Sequence, residues 1–259
     1  MADAQTKALT DHIVAAIEAA EASTEPFYHL IIDGVFPDDI YARLLDLMPT
    51  AKDYRALPGR HNDNIRDDGS STRVKIDLFP EYLRHLPPRH RELWSSVGTA
   101  LRSETVREAF VKRLAPALKR RFGDDYESVG MYPVPMLTRD TLGYRIPPHT
   151  DTHWKGITVQ LYLPQDSANT DIGTIFHERL PDGSMPKHTQ MKFAPNTGYA
   201  FAVADDTWHS ADPVGPEVST RDSILLTYFV DAGLVRFLRN RGKRIGNFLG
   251  NELRYALRR

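Results

Sequence analysis

The chain has 259 residues, 41% hydrophobic and 26% charged, with a formal net charge of -1. This is room for one sizeable soluble domain, with no overall charge to draw it to nucleic acid or an acidic membrane. The absence of cysteine excludes disulfide frameworks, thiolate zinc sites, iron–sulfur clusters and cysteine nucleophiles, so any metal must be held by His, Asp, Glu or backbone oxygen, donors that suit iron, manganese or zinc.

From Asp11 to Ala22 apolar residues recur at helical spacing behind a Thr10 or Asp11 cap. Tyr28–Phe36 is a short apolar run closed by glycine and proline and reads as a strand. Pro37-Asp38-Asp39 then opens a helix to about Met48, with proline in the first turn and acids at the positive end of the dipole. Residues 50–73 are polar and rich in Gly, Asn, Asp and Ser, long for a connector and suited to a solvated loop or a lid carrying Arg66, Arg73 and, just beyond it, Lys75. Helical periodicity returns from Pro80 to Phe122, broken at Pro87-Pro88 and Pro116.

Past Gly123 the texture turns to short β-branched and aromatic runs at 129–134, 157–163, 174–177, 190–193, 199–203 and 224–230. Runs at this spacing predict an antiparallel sandwich or barrel. The last segment, Leu234–Arg259, has a helical pattern, with many Arg and Lys against the single acid Glu252. A basic amphipathic helix can meet a membrane surface or an acidic partner; packing on its own domain or on a second copy, as in a homodimer, is the better expectation. The whole reads as one α+β domain: 1–125 mainly helical support and lid, 126–232 the strand core, 233–259 a closing helix. No window approaches the roughly 20 apolar residues that span a bilayer, and Met1–Thr10 lacks a secretory layout, so a cytoplasmic protein is expected.

The most informative string is Tyr144-Arg-Ile-Pro-Pro-His149-Thr150-Asp151-Thr-His153. On a strand, positions i and i+2 project to one side, so His149 and Asp151 can reach one metal. Isolated His-x-Asp is a chance-level pattern. His209, about sixty residues on, adds a third donor and completes a two-His-one-carboxylate set that leaves half of an octahedral ion open. His153, His177 and His188 compete for the same role. Twelve residues further, Thr220-Arg221-Asp222-Ser223 opens the last core strand. Arg221 and Ser223 share a face there and offer a guanidinium and a hydroxyl to a carboxylate.

This ordered set resembles the iron(II)/2-oxoglutarate-dependent oxygenases, in particular the prolyl-hydroxylase-like members, over roughly Val129 to Val230. The resemblance implies a double-stranded β-helix (jelly-roll) core, Fe(II) on His149, Asp151 and His209, and 2-oxoglutarate and O2 as cosubstrates. It also implies that Arg221 and Ser223 receive the far carboxylate of 2-oxoglutarate, with Tyr162 beside them and Thr158 and Gln160 lining the same pocket. Gly173-Thr174 and Pro195–Gly198 resemble turns of that fold, and Tyr132 and Tyr144 are both candidates for an upstream pocket tyrosine. The expected reaction is hydroxylation of an unactivated C–H bond of a small molecule, with succinate and CO2 released. A peptide, protein or glycan substrate, or a cupin-type metalloenzyme without 2-oxoglutarate, are the alternatives. Trp154 and Trp208, next to metal ligands in sequence, are expected to pack rather than to shield the metal.

Overall fold

The computed structural model describes residues 2–57, 64–231 and 252. Its elements run α1 (Ala2–Ala19), β1 (Glu21–Ser23), β2 (His29–Asp33), α2 (Asp38–Asp46), β3 (Arg55–Ala56), β4 (Arg73–Asp77), α3 (Pro80–Leu83), α4 (Pro88–Leu101), α5 (Glu104–Arg113) and α6 (Ala115–Phe122). The strand-rich half follows as β5 (Met131–Asp140), β6 (Ile146–His149), β7 (Lys155–Tyr162), β8 (Ile175–His177), β9 (Lys187–Gln190), β10 (Thr197–Ala202), β11 (His209–Ala211) and β12 (Arg221–Val230). Among the described residues the strands form two antiparallel sheets: a large one ordered β1-β2-β10-β7-β12-β5-β4-β3 and a small one ordered β6-β11-β8-β9.

Alternation along the central strands gives the large sheet two different faces. Leu30 and Ile32, Ala200, Ile157, Val159 and Leu161, Ile224, Leu226 and Tyr228, Leu137 and Ile76 point one way and join the main core with the helices. α1 packs there on α4 and α5, and Trp94 of α4, fully buried, donates its indole N–H to the Leu47 carbonyl at 2.9 Å. The other face carries Tyr199, Phe201 and Tyr162, which meet Phe176 of the small sheet, Phe27, Phe193 and Met191 in a second, aromatic core. Phe176 lies edge-on to Tyr199 at 5.2 Å and to Phe201 at 5.8 Å. Both faces of β7 are buried although its sequence alternates: Ile157, Val159 and Leu161 join the main core, while Thr158, Gln160 and Tyr162 point to the other side.

Several expected elements shift. The first helix starts nine residues earlier than its periodicity suggests, and the first core strand extends to Asp140, past two prolines at Pro133 and Pro135. The strand expected at 190–193 lies at Lys187–Gln190. The 80–122 region is four helices, since Ser103 adds a stop and an N-cap, its hydroxyl accepting the Val106 N–H at 3.3 Å. Of the polar stretch 50–73, the described parts are tied to the sheet: β3 pairs with β4, and β4 with β5. Arg66 there holds Thr141 Oγ1 at 2.8 Å and the Leu142 carbonyl at 2.9 Å. The closing helix and any dimer contact through it fall outside the described residues, except that Glu252 meets His85 at 2.8 Å and Arg84.

One residue clips the edge of β10 to the chain after β2. Asn196 adopts a left-handed backbone (φ 57°), and its side chain donates to the Phe36 carbonyl at 2.7 Å and accepts the Phe36 N–H at 2.9 Å. Asparagine tolerates this conformation better than other non-glycine residues. Asn196→Ala loses both bonds, leaves buried backbone groups unpaired and strains the backbone. A loss of about 2–4 kcal/mol is expected in urea unfolding; Asn196→Gly, which relieves the backbone strain alone, should lose less.

Candidate metal and anion site

β6 and β11 pair so that His149 stands directly opposite His209, with ring centroids 4.3 Å apart. Asp151 does not lie on the strand, as i/i+2 alternation suggests, but in the turn that follows β6. The turn still brings its carboxylate to the two histidines, and one donor atom from each of the three falls within 4.8 Å of the others. His149 and His209 both place Nδ1 3.0 Å from a backbone carbonyl two residues back, those of Pro147 and Thr207. As donors to these carbonyls the rings leave Nε2 as a free lone pair, the tautomer a metal needs.

Protonation favours a cation as well. Burial, only partly offset by the Asp151 carboxylate, lowers the His209 pKa to about 4 and lowers that of His149, so both rings are neutral at pH 7. Burial works against the Asp151 anion, but the Lys155 ammonium, His209 and the Thr158 hydroxyl hold its pKa below the usual carboxylate range. Lys155 Nζ donates to Oδ1 at 2.5 Å and Thr158 Oγ1 to Oδ2 at 2.6 Å. Thr158, expected among the cosubstrate contacts, therefore spends its hydroxyl on the Asp151 carboxylate. Neutral imidazoles and a fixed carboxylate are the donor set of a two-His-one-carboxylate metal site.

The triad lines one end of a cavity of about 120 Å³. Its walls include Tyr162, Thr174, Tyr199, Gln160 and Thr158, and its far end is formed by Arg221, Asp140, Arg73 and Tyr144. Tyr162 Oη accepts the Thr174 N–H at 2.9 Å, and Tyr199 Oη lies 2.9 Å from both Gln160 Oε1 and Thr174 Oγ1. Arg221 is buried, its Nε donating to Asp140 at 3.2 Å and its Nη1 to the Ile172 carbonyl at 2.5 Å. Ser223 shares the strand face of Arg221 but is not in the wall. Its hydroxyl is enclosed between Thr138 Oγ1 at 2.9 Å and Gln160 Nε2 at 3.0 Å.

The competing histidines go elsewhere. His177 sits 2.7 Å from Ser210 Oγ and 3.0 Å from the Met185 carbonyl, while His153 packs edge-on against the exposed Trp154 and His188 is exposed beside Thr189. Tyr144 reaches the cavity, whereas Tyr132 stacks on Phe229. Trp208 lines a second, more open depression of about 790 Å³, shared with Asp151, His153, Arg120, Arg121 and Arg179, and Arg179 lies over its ring at 5.5 Å. Asp140 and Lys155 were missed as site residues, and Arg73, expected on a loop or lid over the substrate, instead lines the cavity from β4. Asp140 lay beyond the expected end of its strand, Arg73 within an expected loop, and only the strand register sets either beside Arg221.

No protein-family model matches the sequence, and no curated protein matches it. Solved structures do resemble it. A prolyl-4-hydroxylase of Pseudomonas putida aligns over 85% of this chain and 99% of its own, at 13% identity and a TM-score of 0.48. A 2OG-Fe(II) oxygenase family oxidoreductase of Burkholderia pseudomallei aligns over 78% and 84%, at 13% identity and a TM-score of 0.45. EvdO2 of Micromonospora carbonacea var. aurantiaca, in complex with 2-oxoglutarate, aligns over 80% and 88%, at 15% identity and a TM-score of 0.42. Likeness at this level carries no argument about chemistry, which rests on the residues themselves.

The buried neutral histidines make metal-free stability depend on pH. The folded pKa of His209 is about 4 against roughly 6.5 unfolded, so between these values the unfolded chain holds more protons and stability falls as pH falls. Acidification of metal-free protein from pH 7 to 4 should cost up to about 3 kcal/mol through this group. Urea midpoints across that range should flatten in His209→Gln, and an equal slope in both proteins would refute the assignment.

Proposed function

We propose that the chain is an iron(II)- and 2-oxoglutarate-dependent oxygenase that hydroxylates an unactivated C–H bond of a small-molecule substrate. In this reading residues 1–259 form one domain, with a double-stranded β-helix over 126–232. The observation that carries the proposal is the two-ended cavity: a two-histidine, one-carboxylate donor set at one end and a buried guanidinium at the other. Two ligands about 2.1 Å from one ion lie at most about 4.2 Å apart, so small side-chain rotations suffice for the triad to close on a metal.

Bound iron(II), with 2-oxoglutarate and dioxygen, would supply the oxidising power, releasing succinate and CO2. The chain's own part is positioning. His149 and His209 offer Nε2 because their Nδ1 atoms are held by backbone carbonyls, and Lys155 and Thr158 keep the Asp151 carboxylate from rotating. Arg221 receives the carboxylate at the far end of the cosubstrate, and the Tyr162, Tyr199 and Thr174 wall keeps bulk water from its length. The wider depression beside Asp151, lined by Arg120, Arg121, Arg179 and Trp208, would offer a small-molecule substrate an approach to the triad. A cupin-type metalloenzyme without a 2-oxo acid would have no use for the buried guanidinium. Among the described residues no helix is long and apolar enough to cross a membrane, which is consistent with a cytoplasmic enzyme.

Anaerobic protein loaded with iron(II) should develop a weak visible charge-transfer band on addition of 2-oxoglutarate and form succinate on admission of air; neither signal appearing would sink the proposal. Arg221→Met should raise the 2-oxoglutarate concentration for half-saturation by about 10- to 100-fold while iron content stays near wild type. Equal loss of iron in that variant would remove Arg221 from the cosubstrate end.

A further inference from the structure

The cationic end of the cavity holds more than one arginine. In adjacent strands β4, β5 and β12, Arg73 and Arg221 both stand directly opposite Asp140. Asp140 Oδ1 accepts from Arg73 Nε at 2.6 Å, and Oδ2 lies 3.3 Å from Arg73 Nη2 and 3.2 Å from Arg221 Nε. The three side chains are 15%, 1% and 3% exposed in strand order. Tyr144 flanks both guanidinium groups, its ring centroid 4.3 Å from Arg73 Cζ and 5.5 Å from Arg221 Cζ, an arrangement that favours cations.

We propose that Arg73 is a second anchor for the anionic end of the bound 2-oxo acid, with Asp140 as the positioning residue that holds both guanidinium groups; this rests on the cosubstrate reading above. Two observations carry it. First, Arg221 cannot present a full fork, because Nε is committed to Asp140 and Nη1 to the Ile172 carbonyl. Among the described residues Arg221 Nη2 has no protein partner, and Arg73, committed through Nε and Nη2, keeps Nη1. Two arginines thus contribute one uncommitted nitrogen each where a carboxylate presents two oxygens. Second, the charges do not balance. Two guanidinium groups share one carboxylate, and an uncompensated buried cation is costly unless an anion joins it. Around the whole cavity Arg73, Arg221 and Lys155 face Asp140 and Asp151. With a divalent metal in place the excess grows further, which suits a dianion better than a monoanion.

The test uses full-length protein loaded with manganese(II), so that no turnover intervenes, and calorimetric titration with 2-oxoglutarate and with pyruvate, a 2-oxo acid without the far carboxylate. Arg73→Met should weaken 2-oxoglutarate at least tenfold, leave pyruvate and manganese affinity unchanged, and recover partly in Arg73→Lys. Removal of Arg73 leaves Asp140 paired one-to-one with Arg221, so the ligand-free urea midpoint should hold or rise. A purely structural Arg73 gives the reverse, a lowered midpoint with an unchanged ratio of 2-oxoglutarate to pyruvate affinity, and overturns the proposal. If Arg73→Met does not fold, Arg73→Lys carries the same ratio test, and an unchanged ratio there is equally fatal. Wild-type protein that binds no 2-oxoglutarate refutes the cosubstrate reading itself, whereas wild-type binding with an unaffected Arg73→Met refutes only the second anchor.

Discussion

The two-residue alternation of β7, β12 and β5 is the constraint on which the rest of the molecule depends. One set of side chains, from Ile157 through Ile224 to Leu137, belongs to the helices; the other set, Thr158, Gln160, Tyr162, Arg221, Thr138 and Asp140, belongs to the cavity side. A slip of one residue in any of these strands would exchange the two sets, putting Arg221 and Asp140 into the main apolar core and Ile224 into the cavity. Tight helix packing on one face and the polar chemistry on the other therefore enforce the same register.

The cavity is electrostatically polarised along its length. At the triad end burial keeps His209 neutral, the form that can donate a lone pair to a cation, while two hydrogen-bond donors keep Asp151 ionised. At the other end burial has the opposite consequence, since guanidinium groups do not discharge and must be answered by carboxylates. Asp140 answers only one of two. Low dielectric thus prepares one end for a cation and the other for an anion, with the hydroxyls of Tyr162, Tyr199 and Thr174 bonded to one another and to Gln160 between them.

Much of the site was legible in residue order. His149, Asp151 and His209 do converge, and Arg221 does reach the same cavity. Ser223 and Thr158 were read onto the right face, but a shared face does not say whose hydroxyl is spent elsewhere: Gln160 and Thr138 enclose one, and Asp151 takes the other. Asp151 meets the two histidines from a turn rather than from the strand, so the convergence the i/i+2 argument expected arises by a different geometry.

Local chemistry along the chain sufficed for the α+β division, most strand positions, the proline stops of the helices and the choice of the three residues that converge. These follow from periodicity, turn residues and side-chain type, all short-range properties. The partners of Arg221 came only with folding. Arg73 and Asp140 lie 148 and 81 residues before it, and nothing local to either distinguishes a buried ion-pair member from a solvated one. Strand order β12-β5-β4 makes them neighbours, and burial then gives their unequal charges a consequence that the same residues would not have in water.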